Sequence, residues 1–433
     1  MNSRAAKKWA VPLIILGSGI LPVLLYWLLI GRVPSLGPDE AKKLLAAPGS
    51  NAVLVDVRTQ REFNESHLEG AKNWPAGEIM ALAAGGHPPP EYAGRKLLLI
   101  CASGIRSAFA ARRIREATDA QAFSVTGGLA QWNAVSAAPC PLGFCLFRTA
   151  SGELKPAPSR PSPLLEQWAA CITAFGVKPL YMLLSFALIL WTWKLEAPDL
   201  AALRRGLAFF LAGESFCAMN YLFFSEDSYL IEYLHGFGMV VAFGFTSYAV
   251  MEGLDRRVLK YSDQAAQCAA LPLCGACAKH TDVPCRLRRL FMLALAALCC
   301  LCFIPLLAGF HAVSYNTDIL GTAYNYSHPV LFQIYEDRCC PGAALFFFGC
   351  ALLFLVRDGK DIAPAKVMMS AGLGFFGFSF FRLTLFSVYR DNLAWFVAWE
   401  EFTELIYVAG TGLALWIFRE KLFAEVRRDE DTA

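Results

Sequence analysis

Leu97-Leu98-Leu99-Ile100-Cys101-Ala102-Ser103-Gly104-Ile105-Arg106-Ser107 is the stretch that decides how the N-terminal part of this chain folds. The apolar run reads as a strand buried on both faces of a mostly parallel sheet. It ends in a cysteine, and a tight glycine-containing loop and a helix start follow. A loop wrapped around the sulfur aims backbone N–H groups at it, and the helix adds the positive end of its dipole. Both favour negative charge on sulfur, which makes Cys101 a candidate nucleophile.

The flanking residues build a small α/β domain of about 100 residues. Residues 53–55 form another apolar run, and Thr59-Gln60-Arg61-Glu62 has the capping-box pattern that opens a helix. Residues 107–116 read as the helix after Cys101, with Phe109 and Ile114 as core contacts and Arg112, Arg113 and Arg115 solvated. Residues 123–125 read as a further strand, closed by the Gly127-Gly128 turn.

Around the cysteine loop stand Val53-Leu54-Val55-Asp56-Val57-Arg58, Glu62-Phe63, His67-Leu68-Glu69-Gly70-Ala71-Lys72-Asn73-Trp74-Pro75 and Gly127-Gly128-Leu129-Ala130-Gln131-Trp132. In order and spacing these motifs, over residues 37–133, resemble the rhodanese family, although Ser66 stands where that family usually has glycine before the histidine. The resemblance implies an α/β domain with a mostly parallel sheet flanked by helices, and sulfurtransferase chemistry without a cofactor. Cys101 would take sulfur from a small donor such as thiosulfate, carry it as a persulfide and pass it to a thiophilic acceptor. Ala102, Ser103, Gly104, Ile105 and Ser107 would hold the persulfide, Arg106 would help to bind the anionic donor, and Asp56 and Arg58 would brace the edge of the site. Related phosphatases and arsenate reductases use a loop one residue longer. The C-x4-R count from Cys101 to Arg106 therefore favours the sulfurtransferase. The alternative is a catalytically silent fold kept for docking, against which stands the loop cysteine that inactive relatives usually lack.

The rest of the chain is a different object. With 433 residues, 56% hydrophobic and only 17% charged, the composition is that of a membrane protein. Residues 11–30 are an apolar run long enough to cross a bilayer, preceded by Arg4, Lys7 and Lys8 and followed by no small-residue cleavage site; this predicts an uncleaved signal anchor. Further spans are expected near 172–193, 206–224, 229–251, 290–310, 342–356, 367–388 and 395–418, which makes a polytopic α-helical membrane domain of about eight spans. The expected layout is a basic N-terminus and anchor over 1–32, the α/β domain over 33–138, and a linker over 139–170. The multispan domain follows over 171–418, with a cysteine-rich loop at 252–289, then a tail over 419–433.

Basic residues sort the connections. Lys194, Arg204 and Arg205, the segment from Arg256 to Arg289, Arg357 to Lys366, and the tail with Arg419, Lys421, Arg427 and Arg428 hold nearly all of them outside the α/β domain. The positive-inside rule then puts both termini and the 252–289 loop in the cytoplasm, and the α/β domain outside the cytoplasmic membrane, in a periplasm if the cell has one. The net charge of +3 says nothing about nucleic acid, because topology accounts for the basic residues; the apolar spans make the lipid bilayer the expected partner, with no nucleic acid.

Topology also sorts the 15 cysteines. Cys140, Cys145, Cys339 and Cys340 fall on the outer side with Cys101, where a disulfide among them is permitted. A relay of sulfur from Cys101 to one of these thiols is the sharper alternative. In the cytoplasmic loop, Cys268, Cys274, Cys277, His280 and Cys285 follow a C-x5-C-x2-C-x2-H-x4-C spacing. Soft ligands so placed could hold zinc or an iron–sulfur cluster, and the plain alternative is a loop of reduced thiols. Within the spans, Glu214, His235, Arg382, Glu401 and Glu404 fall in the outer half or near the midplane, where ionisable side chains face a cavity or one another. They are expected to line one polar pocket, with an ion pair of Arg382 and Glu401 or Glu404 as the plainer reading.

Two function classes result: an outward-facing sulfurtransferase tethered by the membrane domain, or a transporter or sensor of sulfur species whose α/β domain captures substrate. No internal repeat favours transport.

Overall fold

The computed structural model describes residues 10–17, 20, 33–83, 85, 87–102, 104–132, 136–137, 147–148, 154–155, 160–161, 163–224, 229–263, 265–275, 277, 285–308, 313–319, 322–328, 335–357, 362–389 and 393–422. Within the α/β domain, five strands lie in the order β1-β5-β4-β2-β3: β1 Ser35–Leu36, β2 Ala52–Asp56, β3 Lys72–Asn73, β4 Lys96–Ile100 and β5 Ala122–Val125. All neighbouring pairs are parallel. The helices are α1 Pro38–Ala46, α2 Gln60–Glu65, α3 Ala76–Met80, α4 Ile105–Ala117 and α5 Gly128–Trp132.

β4 is the central strand, which is why its sequence is continuously apolar. Leu97 and Leu99 join one core with Val53, Val55, Ile79 and Ile114, whereas Leu98 and Ile100 join the other with Leu54, Ala41 and Val125. This is the period of two that a strand imposes. All four residues are fully buried, which contributes on the order of 2 kcal/mol apiece. The capping box at Thr59 and Glu62 forms as expected and starts α2 directly after β2.

One expected core contact does not form. Phe109 is 39% exposed, because the buried face of α4 runs through Ser107, Ala110, Ala111 and Ile114 and leaves position 109 outside that stripe. Ile114 is buried as expected.

Beyond the α/β domain the described residues are mainly helical, with two small three-stranded sheets, one of which contains the antiparallel pair Val313–Ile319 and Thr322–His328. We number its long helices α6 Leu164–Trp191, α7 Pro198–Phe224, α8 Tyr229–Gly253, α9 Arg286–Leu301, α10 Cys340–Arg357, α11 Ala363–Tyr389 and α12 Leu393–Ile417. Among the described residues, five helices are long and apolar enough to cross a membrane: Leu164–Trp191, Leu230–Leu259, Arg286–Leu307, Tyr335–Arg357 and Ala363–Tyr389. α6 therefore starts inside the stretch expected to be linker. α7 and α12 are comparably long but carry the acidic residues Glu214 and Glu400, Glu401 and Glu404. Of the expected anchor, residues 10–17 are helical and Ile15 packs with Ala202, Val241 and Phe245; residues 21–32 lie outside the described residues.

α7 and α8 approach very closely. A Cβ on Gly238 would stand 2.7 Å from Gly213 Cα, so only glycine allows the two backbones to meet there. π-helical turns occur at Thr173–Val177, Leu254–Leu259 and Tyr335–Cys339. The first immediately precedes Lys178, and the last contains Glu336 and Asp337, so they lie next to the charged residues of the bundle.

Candidate active site

Cys101 follows β4 at the carboxyl end of the sheet, where open α/β folds place their ligands. Its side chain is wrapped by the loop and is 0% exposed. The Gly104 N–H donates to Sγ at 3.1 Å and the Ser107 N–H at 3.4 Å, while the thiol faces Ser107 Oγ at 3.6 Å. The Ser107 amide is in the first turn of α4, where N–H groups have no helical acceptor and point at whatever lies before the helix. Two convergent donors and a helix N-terminus make the sulfur's surroundings electropositive.

The loop's shape is fixed from two sides. Ser107 Oγ donates to the Gly104 carbonyl at 3.0 Å and lies 2.9 Å from Ser124 Oγ of β5. From below, the Leu129 N–H donates to the Cys101 carbonyl at 2.8 Å, and the Gly127-Gly128 turn lies against the loop backbone. Gly128 has φ +59°, and a Cβ there would be 2.1 Å from the Cys101 carbonyl oxygen. The glycine pair that reads in sequence as a strand end is thus the floor of the cysteine loop.

With the central-strand cysteine, the amides on its sulfur and the glycine floor in place, comparison becomes decisive: the family model for the rhodanese-like domain matches residues 37–135. Residues 37–135 are a rhodanese-like domain. No family is found for the remainder, and comparison of the chain with curated proteins gives no match.

The other expected residues of the rhodanese-like domain separate into groups. Arg106 is paired with Glu62 of α2, Nη1 to Oε2 and Nη2 to Oε1, both at 2.8 Å. The Arg106 guanidinium, helped by Thr59, holds the Glu62 carboxyl well below the usual carboxylate range, and Glu62 in turn raises Arg106. Asp56 and Arg58 form a buried pair: Arg58 Nε lies 3.0 Å from both carboxylate oxygens and Nη2 lies 2.7 Å from Oδ2. Arg58 Nη2 also donates to the Ser66 carbonyl at 2.5 Å, and Asn73 Nδ2 donates to the carbonyls of Asp56 at 2.8 Å and Arg58 at 2.9 Å. The position where the chain departs from the family's glycine is therefore held through its backbone. Ala102 is exposed at the loop tip, and Ser103 and the Ile105 side chain lie outside the described residues. Ser124 and the pairing role of Glu62 were not legible in sequence; a polar residue in an apolar strand is the signal that points to Ser124.

In the bundle, Glu214, Glu401 and Glu404 do converge, with their carboxylate oxygens within 4.8 Å of one another. His235 joins them, its Nδ1 standing 3.7 Å from Glu214 Oε1. Lys178 and Tyr181 of α6 complete the cluster and were missed, although Lys178 Nζ lies 2.5 Å from Glu214 Oε2 and 3.1 Å from Glu401 Oε1. Arg382 pairs elsewhere. Its Nε meets Glu336 Oε1 at 2.9 Å and its Nη1 meets Glu400, not Glu401 or Glu404. The reason is the helical repeat: Glu400 and Glu401 are adjacent on α12 and so face neighbours about 100° apart.

The cysteines of the 252–289 loop do not converge in the same way. Among the described residues, Cys268, Cys274, Cys277 and Cys285 form no set of three ligand atoms within 4.8 Å, and His280 lies outside the described residues. Burial pushes the phenol of Tyr261 up to about 12, with Cys285 hydrogen-bonded to it and Cys268 close by. Cys339 and Cys340 carry no disulfide to a described residue, and Cys140 and Cys145 lie outside the described residues.

Proposed function

We propose that the chain is a membrane-bound sulfurtransferase that carries sulfane sulfur on Cys101. The observation that carries this reading is the Cys101 sulfur at the focus of the Gly104 and Ser107 amides. In the proposed cycle the Cys101 thiolate attacks the outer sulfur of thiosulfate, the S–S bond of the donor breaks, and sulfite leaves with the electron pair. The persulfide anion that remains is held by the same amides. A thiophilic acceptor such as cyanide then attacks the terminal sulfur, leaves as thiocyanate, and returns the Cys101 thiolate. No oxidant or cofactor enters, because the sulfane sulfur keeps its oxidation level through both steps.

Placement of the domain on the outer side of the cytoplasmic membrane belongs to this proposal and rests on the charge distribution of the connections. Supply to or uptake of sulfur species by the helical bundle is the second reading, supported by the charged cluster around Glu214.

The test is thiosulfate-to-cyanide transfer by the full chain in detergent, together with mass spectrometry of trapped Cys101. Turnover lost in Cys101→Ser and a 32-Da persulfide adduct on the wild-type thiol are expected, the mass being that of one added sulfur atom. Equal turnover in the variant would refute the nucleophile assignment.

A further inference from the structure

The cluster shared by α6, α7, α8 and α12 contains more carboxylate oxygens than its hydrogen-bond donors satisfy. Glu214 is 0% exposed, and Glu401 and Glu404 are buried as well. Lys178 Nζ donates to Glu214 Oε2 at 2.5 Å, to Glu401 Oε1 at 3.1 Å and to Tyr181 Oη at 3.0 Å, which uses every N–H an ammonium has. The Tyr181 hydroxyl lies 2.7 Å from Glu214 Oε2 and 2.8 Å from Glu401 Oε2, yet it owns a single proton to give.

Two oxygens are left over. Glu214 Oε1 and Glu404 Oε2 are buried and have no hydrogen-bond partner. His235 does not supply one, since its Nδ1 is bonded to the Gly213 carbonyl at 3.1 Å and stays 3.7 Å from Glu214 Oε1. With all three carboxylates ionised, the cluster and its one ammonium would carry a net charge of about −2, which is strongly disfavoured in such surroundings without a further cation.

We propose that Glu214, Glu401 and Glu404 bind one divalent, oxygen-preferring cation. Its charge matches the deficit. Oxygens bound to one ion at about 2.0–2.6 Å lie no further than roughly 5 Å from each other, and the convergence within 4.8 Å meets that condition. The oxygens of Glu214 and Glu404 that lack hydrogen-bond partners are free to serve as ligands, and Lys178, which holds the other oxygen of Glu214 and one of Glu401, is the resident counter-charge. Carboxylate oxygens select manganese, magnesium or calcium over metals that seek thiolate. This site is independent of the chemistry at Cys101.

The experiment uses Mn2+ alone as probe, with the full chain in detergent. Bound ion is counted by equilibrium dialysis and followed by electron paramagnetic resonance, and thermal unfolding is recorded with and without Mn2+. One ion per chain is expected in the wild type and in Cys101→Ser, with a raised unfolding midpoint. Glu404→Gln and Glu214→Gln should each weaken binding roughly ten-fold or more. Absence of stoichiometric Mn2+ in the wild type overturns the proposal without any variant having to fold. Binding that survives both carboxylate substitutions in monodisperse protein overturns it too. So does binding lost in the Cys274→Ser, Cys277→Ser double variant but kept in Glu404→Gln, which would put the ion on the loop thiols.

Discussion

Arg106 and Glu62 face one another through a pair of 2.8 Å hydrogen bonds, so the guanidinium beside the cysteine loop already holds a carboxylate. An anionic donor that uses Arg106 has to compete with Glu62. Glutamine at position 62 keeps the amide-capping geometry of α2 but removes the charge. Glu62→Gln should therefore lower KM for thiosulfate a few-fold with kcat little changed, while Arg106→Met should raise KM roughly ten-fold, the equivalent of about 1.4 kcal/mol. A higher KM in Glu62→Gln would show instead that Arg106 binds the donor only when Glu62 holds it in place.

The same pair predicts a pH dependence. Because the folded-state value of Glu62 is depressed, its contribution to stability is present above the unfolded value of about 4.3 and is lost as pH falls through the folded value. Both side chains are partly exposed, at 40% for Arg106 and 30% for Glu62, so solvent screening keeps the effect small. Unfolding midpoints of wild type and Glu62→Gln should differ most above pH 5 and converge in more acidic buffer. Parallel curves would remove Glu62 from the pH response.

Gly128→Ala tests the floor of the loop. The added methyl group would collide with the Cys101 carbonyl at 2.1 Å in a backbone conformation that alanine resists. Destabilisation well above about 1 kcal/mol is expected, with sulfur transfer falling further than stability as the amides move off the sulfur. Ser107→Ala keeps the Ser107 N–H and loses only the hydroxyl, at about 1 kcal/mol. Denaturant titration and turnover of both variants separate the two effects, and wild-type turnover in Gly128→Ala would mean the loop does not need this floor.

Asp56→Asn separates bracing from chemistry. It leaves the Arg58 guanidinium buried opposite a neutral amide, for which a loss of about 3–5 kcal/mol is expected. The KM of the folded fraction should change by no more than about two-fold, since Asp56 is not hydrogen-bonded to Arg106 and acts on it only through its charge, the smallest of the influences on that guanidinium. A larger change in KM at unchanged stability would move Asp56 into the donor site.

Sidedness is tested by labelling. With cysteines added singly at exposed Glu69 and at exposed Asp263, a membrane-impermeant maleimide on intact cells should modify position 69 and spare position 263. The opposite pattern would place the rhodanese-like domain in the cytoplasm.

The α/β domain was largely legible because its signals are local. A central strand must be apolar on both faces, and residues 97–100 are; a capping box needs only Thr59 and Glu62 three residues apart. Phe109 is apolar but out of phase with the buried face of α4, so apolarity alone does not place it in the core. The bundle was harder for a physical reason: which ionisable groups meet depends on helix rotation, and a one-residue difference sends Glu400 to Arg382 and Glu401 to Lys178. Lys178 itself carries no local signal. In sequence, a lysine in an apolar stretch looks the same whether it reaches for lipid headgroups or turns inward to carboxylates on distant helices.

The complete burial of Cys101 has a bearing on how the two forms of the domain would meet the outside. The bare thiol is shielded from bulky oxidants and alkylating agents by its own loop. In the proposed persulfide a second sulfur, bonded at about 2.05 Å, would lengthen the side chain beyond the thiol. Only the charged carrier would then offer an atom for a visitor to take, so that cargo and handle are one, and an empty domain would be invisible to the acceptor that a full one attracts.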